Sequence, residues 1–437
     1  MERTGEVLAT ETATTTGTDG TTTENKSTTA TTTQTANGVT TATTTATGTE
    51  TATAADGTKT TTETTEQKTV STTVGEDGKT SGSGTVSGTA VRTEADGSTT
   101  TTVTEATATT TDSEGNVTVA ETVATDSVAA DGSTGSVVVT GEGELISADI
   151  VISEEALDTA QKTDTPIQAP VTIPVAGDAG PDTPPVSVKF QRKEHTGSYT
   201  VPKMPRVEIG VKGNSYGIVA FQKLAGGLLR LVKECRMGSV IVPVEGDCEL
   251  VIVDNSKTFG DVAADAWYAN YVTFVTAREI FNGDSLGMFN PDADMDRAMI
   301  TQVLYNFDRN GEPGTLSAFV DAGTDRWWAD AVGWANKNGI VGGYSDEWFA
   351  AEDSVTRQDL VAMLYRYAGF AGYAVDTGDG LSDWADADDV ADYARTAMSW
   401  ALRYGIIEGL DGNLSPTSSA TRAQVAAIMM RFVSNVR

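Results

Sequence analysis

Apolar side chains are distributed along the chain in three different ways. Over residues 1–143 large apolar residues are almost missing, and Thr-rich runs alternate between short turn dipeptides: Asp19-Gly20, Asn37-Gly38, Asp56-Gly57, Asp77-Gly78, Asp96-Gly97, Glu114-Gly115 and Asp131-Gly132. The glycines are spaced 18, 19, 21, 19, 18 and 17 residues apart, so a degenerate unit of about 19 residues repeats. Asn-Gly and Asp-Gly favour type I′ hairpin turns, and the runs between them suit extended chain. Without apolar residues such a segment has no core of its own, which leaves two readings: a repetitive β array or a disordered spacer.

From residue 144 the pattern changes to short apolar runs, at 186–190, 207–211, 218–221, 228–232, 240–244 and 250–253, separated by Gly, Asn and Asp. That rhythm predicts a small β-sandwich-like module over 144–254, with the Pro-rich stretch 163–185 as a linker or a set of edges. Beyond 256 the period becomes helical. Stripes at Ile300, Val303, Leu304 and Phe307, at Leu360, Met363, Leu364 and Tyr367, and at Val425, Ile428, Met429 and Phe432 each cover one helix face. They are too short to be stable alone, so they predict an all-α pseudo-threefold bundle of three helix-loop-helix repeats. The chain is therefore expected to be multidomain.

A shift of 60 residues superposes Phe259 on Phe319, Asp261 on Asp321, Trp267 on Trp327, Phe274 on Trp334, Ile280 on Ile340, Gly283 on Gly343 and Phe289 on Phe349. Seven gapless matches define an internal repeat, with copies over 257–310, 317–370 and 379–437. The third copy needs small gaps: Leu381 and Asp383 open it, Trp400 and Gly409 follow, and Arg422 lies 65 residues beyond Arg357. The second helix of each copy starts at Asp296-Arg297, Thr356-Arg357 or Thr421-Arg422, a capping residue followed by an arginine in the first turn. Free amides, the positive dipole end and a guanidinium fork together make a ready anion site.

Composition narrows the chemistry. The formal charge of −31 excludes nonspecific nucleic-acid binding, and the segment from residue 256 is itself acidic, with 13 Lys plus Arg against 26 Asp plus Glu. Any anion must then be held by local arginines. The chain has one histidine, His195, in a polar stretch that reads as a solvated loop, so a His-based triad or zinc site is not expected. Acidic loops such as 383–392 do not match an EF-hand spacing, and no cofactor or metal is expected. Cys235 and Cys248 flank a hairpin and leave open either a cross-strand disulfide or two separate thiols. No apolar run is long enough to insert in a membrane, and the first residues lack a secretory leader, which predicts a truncated or misassigned start.

The pattern Phe-x-Asp-Val, Trp, Gly-Ile-x-x-Gly, Phe-x-Pro and Thr-Arg-Ala-Gln resembles the S-layer homology domain, found in triplicate at the ends of bacterial surface proteins. The resemblance covers about 180 residues. It implies an extracellular, cell-wall or S-layer location and noncovalent binding of a pyruvylated secondary cell-wall polysaccharide attached to peptidoglycan. The residues it marks are Asp261, Trp267, Gly283 and Arg297; Asp321, Trp327, Gly343 and Arg357; and Asp383, Gly409 and Arg422. Arg suits a ketal carboxylate, Asp accepts sugar hydroxyls, an indole stacks on a pyranose, and Gly admits the backbone. The departures are Glu279 for the helix-ending Gly, Asp296 and Met299 for Thr and Glu, Tyr393 roughly where a Trp belongs, and Leu414 for Phe. The competing reading makes each Trp part of the core and each Arg a bridge to a neighbouring repeat.

Three functions fit. An anchored surface protein with a Thr-rich stalk is the leading one, and a subunit that self-associates in a surface layer is the alternative. An enzyme is not expected within this chain, because no stretch outside the repeats has room for a glycosidase cleft; an anchor fragment of a truncated surface enzyme remains the third reading.

Overall fold

A computed structural model describes residues 2–74, 80–110, 117–175, 183–191, 205–243, 246–308, 319–323, 325–409 and 412–436. The expected turns at Asp77-Gly78 and Glu114-Gly115, and the solvated histidine His195, lie outside the described residues. The chain divides into two compact units. One comprises Met1–Lys212, Gln222–Leu229 and Val242–Ile252; the other comprises Gly213–Phe221, Arg230–Ile241 and Val253–Arg437.

The N-terminal strands are long: β1 (Glu2–Thr16), β2 (Thr22–Ala36), β3 (Val39–Thr53), β4 (Lys59–Val74), β5 (Thr80–Thr93), β6 (Thr99–Thr110), β7 (Val117–Val128) and β8 (Thr134–Thr140). They pair antiparallel, each with its sequence neighbour, in nearly unbroken register; the one shift between β1 and β2 falls at Thr4/Glu6. β9 (Leu145–Ile152), α1 (Glu154–Thr163), β10 (Ile167–Pro174), β11 (Val186–Phe190), β12 (Arg206–Lys212), β13 (Ile218–Lys223), β14 (Leu229–Val232), β15 (Cys235–Arg236), β16 (Ser239–Pro243) and β17 (Cys248–Asp254) follow. The order β1-β2-β3-β4-β5-β6-β7-β8-β9-β11-β17-β13-β14 makes one sheet of 13 strands, and β10-β12-β16-β15 makes a second of four.

This overturns the expected division into a Thr-rich, disordered or free-standing spacer and a separate small β-sandwich. Five strands assigned to the module continue the sheet that the Thr-rich strands begin. The reason is physical. Among the described residues before Ser127 no side chain is buried, so a core is not what holds these strands. β-branched Thr suits extended backbone, β2 to β8 are laddered on both sides, and hydroxyls meet across strands, as Thr31 with Thr44 at 3.0 Å and Thr41 with Ser71 at 3.0 Å. The sheet grows from strands that do have a core: Val137, Ile150, Ile152, Val186, Val188 and Leu250 are buried, with Leu157 of α1 and Ile173 of β10.

The turns also differ from the expected type. Asn37 and Gly38 have φ of 53° and 76°, a two-residue turn with both positions left-handed. At Asp56-Gly57 only the glycine is left-handed (φ 87°), Gly57 N donates to Ala54 O, and the Asp56 carboxylate accepts from Thr58 N at 2.9 Å. Asp19, Asp96 and Asp131 accept in the same way from Thr21, Ser98 and Ser133. The aspartate thus acts through its side chain, as an Asx turn. Cys235 is buried and Cys248 half-buried, and no disulfide joins them.

The second unit is built on six helices: α2 (Ala269–Ala277), α3 (Arg297–Phe307), α4 (Ala329–Lys337), α5 (Arg357–Ala371), α6 (Arg395–Arg403) and α7 (Arg422–Asn435). The first helix of each repeat packs on the second helix of the repeat before it, α4 on α3, α6 on α5 and α2 on α7. The cycle is closed by backbone hydrogen bonds between buried residues two positions before each arginine: Val355 N to Met295 O at 2.9 Å, Ala420 N to Val355 O at 3.1 Å, and Met295 N to Ala420 O at 3.0 Å. Ten positions after each arginine, Phe307, Tyr367 and Phe432 form a triangle of rings with centroids 5.9–6.0 Å apart. Trp334 and Trp400 are buried. No helix among the described residues is long and apolar enough to cross a membrane.

Candidate functional site

The second helix of each repeat begins under a side-chain cap. Asp296 accepts from Met299 N at 2.7 Å, Thr356 from Asp359 N at 3.2 Å, and Thr421 from Gln424 N at 3.4 Å. Only the last is a full capping box, because Gln424 Oε1 accepts in return from Thr421 N. This geometry sets Arg297, Arg357 and Arg422 at equivalent places, and each reaches into the next repeat around the ring.

Arg297 donates from Nε to Phe349 O at 3.0 Å and from Nη2 to Gly342 O at 2.7 Å. Arg357 donates to Leu414 O at 2.9 Å and Glu408 O at 2.7 Å. Arg422 donates to Phe289 O at 2.7 Å and Asn282 O at 3.0 Å. Sequence grouped each arginine with the acid and glycine of its own repeat; the structure groups it with those of the following one. The acceptors are neutral carbonyls, so the guanidinium charge is screened only at a distance. Arg297 and Arg357 are just 6% and 2% exposed. Burial pulls the Arg357 guanidinium below its ordinary range, Arg431 adds to this and Asp386 opposes it. Burial does the same at Arg422, against Asp261 and Asp284.

The opening aspartate of a repeat holds the loop that the arginine contacts. Asp261 accepts from Phe289 N at 2.8 Å and Asn290 N at 2.6 Å, and Asp321 from Phe349 N at 2.9 Å and Ala350 N at 2.7 Å. In the third repeat the residue that does this is Asp386, to Leu414 N at 2.9 Å and Ser415 N at 2.7 Å. Asp383, the sequence candidate, is an exposed residue of a short 3-10 turn three positions earlier. The signal that identifies Asp386 is Trp384-Ala-Asp386, an aromatic-x-Asp in the manner of Phe259-x-Asp261. Both carboxylate oxygens accept backbone amides, so these acids are loop staples first. The stapled residues Asn290, Ala350 and Ser415 have φ of 58°, 60° and 51°, a strained conformation for all but Gly and Asn.

The loop glycines admit no side chain. A Cβ would come within 2.4 Å of the Phe259 ring at Gly283, 2.3 Å of Ser345 O at Gly343, and 2.3 Å of the Trp384 ring at Gly409. Trp267 and Trp327 stand just before α2 and α4, exposed by 61% and 63%. Tyr393, just before α6, occupies the equivalent place at 55%. Three junctions result. The first gathers Asp261 and Gly283 with Arg422, in the repeat that carries Trp267; the second Asp321 and Gly343 with Arg297, in the repeat that carries Trp327; the third Asp386, Tyr393 and Gly409 with Arg357. The second also has Tyr344, whose ring lies 4.9 Å from the Arg297 guanidinium. Among the described residues no group of three or more His, Cys, Asp or Glu is arranged to hold a metal ion.

Comparison with known proteins shows what the three repeats are similar to. The S-layer homology domain profile matches residues 258–298, 318–361 and 385–426. The surface-layer 125 kDa protein of Lysinibacillus sphaericus is 29% identical over 204 residues, 46% of this chain and 16% of the relative. An amylopullulanase of Thermoanaerobacterium thermosulfurigenes is 27% identical over 174 residues, 40% of this chain and 9% of the relative. A cellulosome-anchoring protein of Acetivibrio thermocellus is 32% identical over 124 residues, 26% of each. The chain thus spans a small part of the length of these relatives. Its C-terminal part, residues 258–426, carries three S-layer homology domains.

Proposed function

We propose that the C-terminal unit anchors a surface protein noncovalently to the bacterial cell wall, by binding a pyruvylated secondary cell-wall polysaccharide at the junctions between repeats. The observation that carries this is a guanidinium held by two neutral loop carbonyls at each of the first two junctions, in repeats that also present an exposed indole, Trp267 and Trp327. A buried cation without a contacting carboxylate favours an incoming anion, and the indole offers a flat apolar face for a sugar ring. The glycine lets a ligand reach loop backbone. The candidate residues are Asp261, Trp267, Gly283, Arg297, Asp321, Trp327, Gly343, Arg357, Gly409 and Arg422, with Asp386 in the place first given to Asp383. The relatives include surface-layer proteins, a cellulosome-anchoring protein and polysaccharide-degrading enzymes, which supports a shared attachment module rather than a shared reaction. This reading assigns the chain a cell-surface location and no catalytic step.

A second reading, self-association in a surface layer, is favoured by the likeness to a surface-layer protein.

Sedimentation of the full chain with wall sacculi tests the anchor. Pelleting should fall on walls chemically stripped of their secondary polysaccharide, and Trp327→Ala should weaken binding to native walls about tenfold, or about 1.4 kcal/mol. Equal pelleting with both walls would reject the polysaccharide and favour self-association.

A further inference from the structure

The three junctions are not alike, and the difference lies at the second and third residues of the arginine-bearing helix. At the first junction these are Ala423 and Gln424, at the second Ala298 and Met299, at the third Gln358 and Asp359. Only the third pair reaches across. Gln358, itself 7% exposed, accepts from Ala391 N through Oε1 at 2.9 Å. Two residues on, the Tyr393 hydroxyl donates to Asp359 Oδ1 at 2.6 Å, while Asp359 Oδ2 takes the Thr356 hydroxyl at 2.5 Å. The segment before α6 is thus tied to the start of α5 by two hydrogen bonds, one of them to a charged acceptor.

Neither bond has a counterpart at the other junctions. An alanine at 298 or 423 has no acceptor, and Trp267 and Trp327 have no hydroxyl. The third repeat also has one more residue between its staple and its aromatic, since Asp386 to Tyr393 is seven positions whereas Asp261 to Trp267 and Asp321 to Trp327 are six. Burial, and then the Asp359 carboxylate, raise the Tyr393 hydroxyl above its ordinary range, so it stays a donor throughout the neutral range.

Resting on the anchoring reading above, we infer that the third junction is clamped by Gln358, Asp359 and Tyr393 and rejects the anionic saccharide, so that each chain holds the wall polysaccharide at the Trp267 and Trp327 junctions only. Two effects combine. A ligand must break two hydrogen bonds to enter, one of them charge-assisted. It then meets Asp359, a negative charge on the first turn that carries Arg357, where the other junctions have Gln or Met at that position; the second junction's acid, Asp296, is the helix cap, accepts from Met299 N at 2.7 Å, and is raised above its ordinary range by burial. The first junction does have an acid beside Arg422, Asp284, but that carboxylate is occupied within its own loop by Leu286 N, Met288 N and the Asn290 amide.

The test is titration calorimetry of the full chain with short pyruvylated oligosaccharides prepared from the wall polysaccharide. The unmodified chain should bind two per molecule, and the Trp267→Ala, Trp327→Ala double variant should keep no site of the parent's affinity, each being weakened about tenfold. A variant carrying Gln358→Ala, Asp359→Gln and Tyr393→Trp acquires the residues of the first junction and should bind three. Asp359→Gln preserves folding, because Thr356 with Gln at 359 repeats the capping box that Thr421 forms with Gln424. Three sites in the unmodified chain, or one site of the parent's affinity remaining in the double tryptophan variant, would overturn the clamp and leave the anchor standing. If the triple variant does not fold, these two counts still decide. No binding by the unmodified chain would remove the anchoring reading and the clamp with it.

Discussion

Arg297, Arg357 and Arg422 donate to carbonyl oxygens of another repeat, and this decides what their loss does. Arg357→Ala orphans the buried Leu414 O and frees the partly buried Glu408 O, and should cost about 1–3 kcal/mol in denaturant unfolding, apart from any effect on binding. At the stapled loop the strain can be relieved. Ala350→Gly removes a Cβ at φ 60° and should stabilise the fold by about 1 kcal/mol on the same measurement. The staples also set a response to acid. Burial raises the Asp386 carboxyl, but the Leu414 and Ser415 amides outweigh it and hold the group below the ordinary 3.8. A depressed carboxylate contributes stability above the unfolded value, and that contribution is lost as the pH falls through the lower folded value. Asp386→Asn should therefore be less stable than the parent at neutral pH, with the gap closing below 3.8. The residue types that the sequence groups recur in the structure as acid, glycine and arginine around each stapled loop, with an exposed indole in the first two repeats. Their partners were not legible, because a repeat sequence is the same whether an arginine serves its own unit or the next. Asp386 was passed over although it lies 36 positions before Arg422, as Asp261 and Asp321 lie before Arg297 and Arg357, because Leu381-Ser-Asp383 imitates the aromatic-x-Asp opening three residues too early.

Among the elements, the helix starts were the most legible, since a capping side chain followed by an apolar stripe is a local signal. α3, α5 and α7 begin at the arginines that follow Asp296, Thr356 and Thr421. Removing a cap tests the local account: Thr421→Ala should lower stability by about 1 kcal/mol in thermal or denaturant unfolding. α1 escaped notice although Ser153 caps it through Ala156 N at 3.1 Å, because its ten residues lie between strands in a stretch read for its β rhythm. The Thr-rich strands show the opposite limit. Alternation and turn dipeptides indicate extended chain, yet whether that chain is ordered depends on neighbours that supply the ladder and, through β8 and β9, a core. No window of residues contains that information. The two cysteines likewise stay unbridged, although their spacing alone leaves a bridge open.

At the scale of the whole molecule, the helical unit is a ring whose contacts run from each repeat to the next and from the third back to the first. Its stability is shared. Ending the chain at residue 378 removes the acceptors of Arg357, the helix α7 that packs on α2, and one corner of the aromatic triangle. The truncated chain should lose the cooperative unfolding transition of the helical unit, followed by circular dichroism at 222 nm, instead of keeping two thirds of it. The backbone cycle through Met295, Val355 and Ala420 has a further consequence for how such a unit can change over generations. Each amide in it points to one carbonyl, so the cycle closes on three members and has no vacant position for a fourth. A duplication within the gene that adds one repeat therefore adds a part with nowhere to dock, while substitutions inside a repeat are free to accumulate as long as the next repeat's loop still accepts its arginine. Copy number is fixed by geometry, and divergence is left to the individual junctions, which is where the third has departed from the other two.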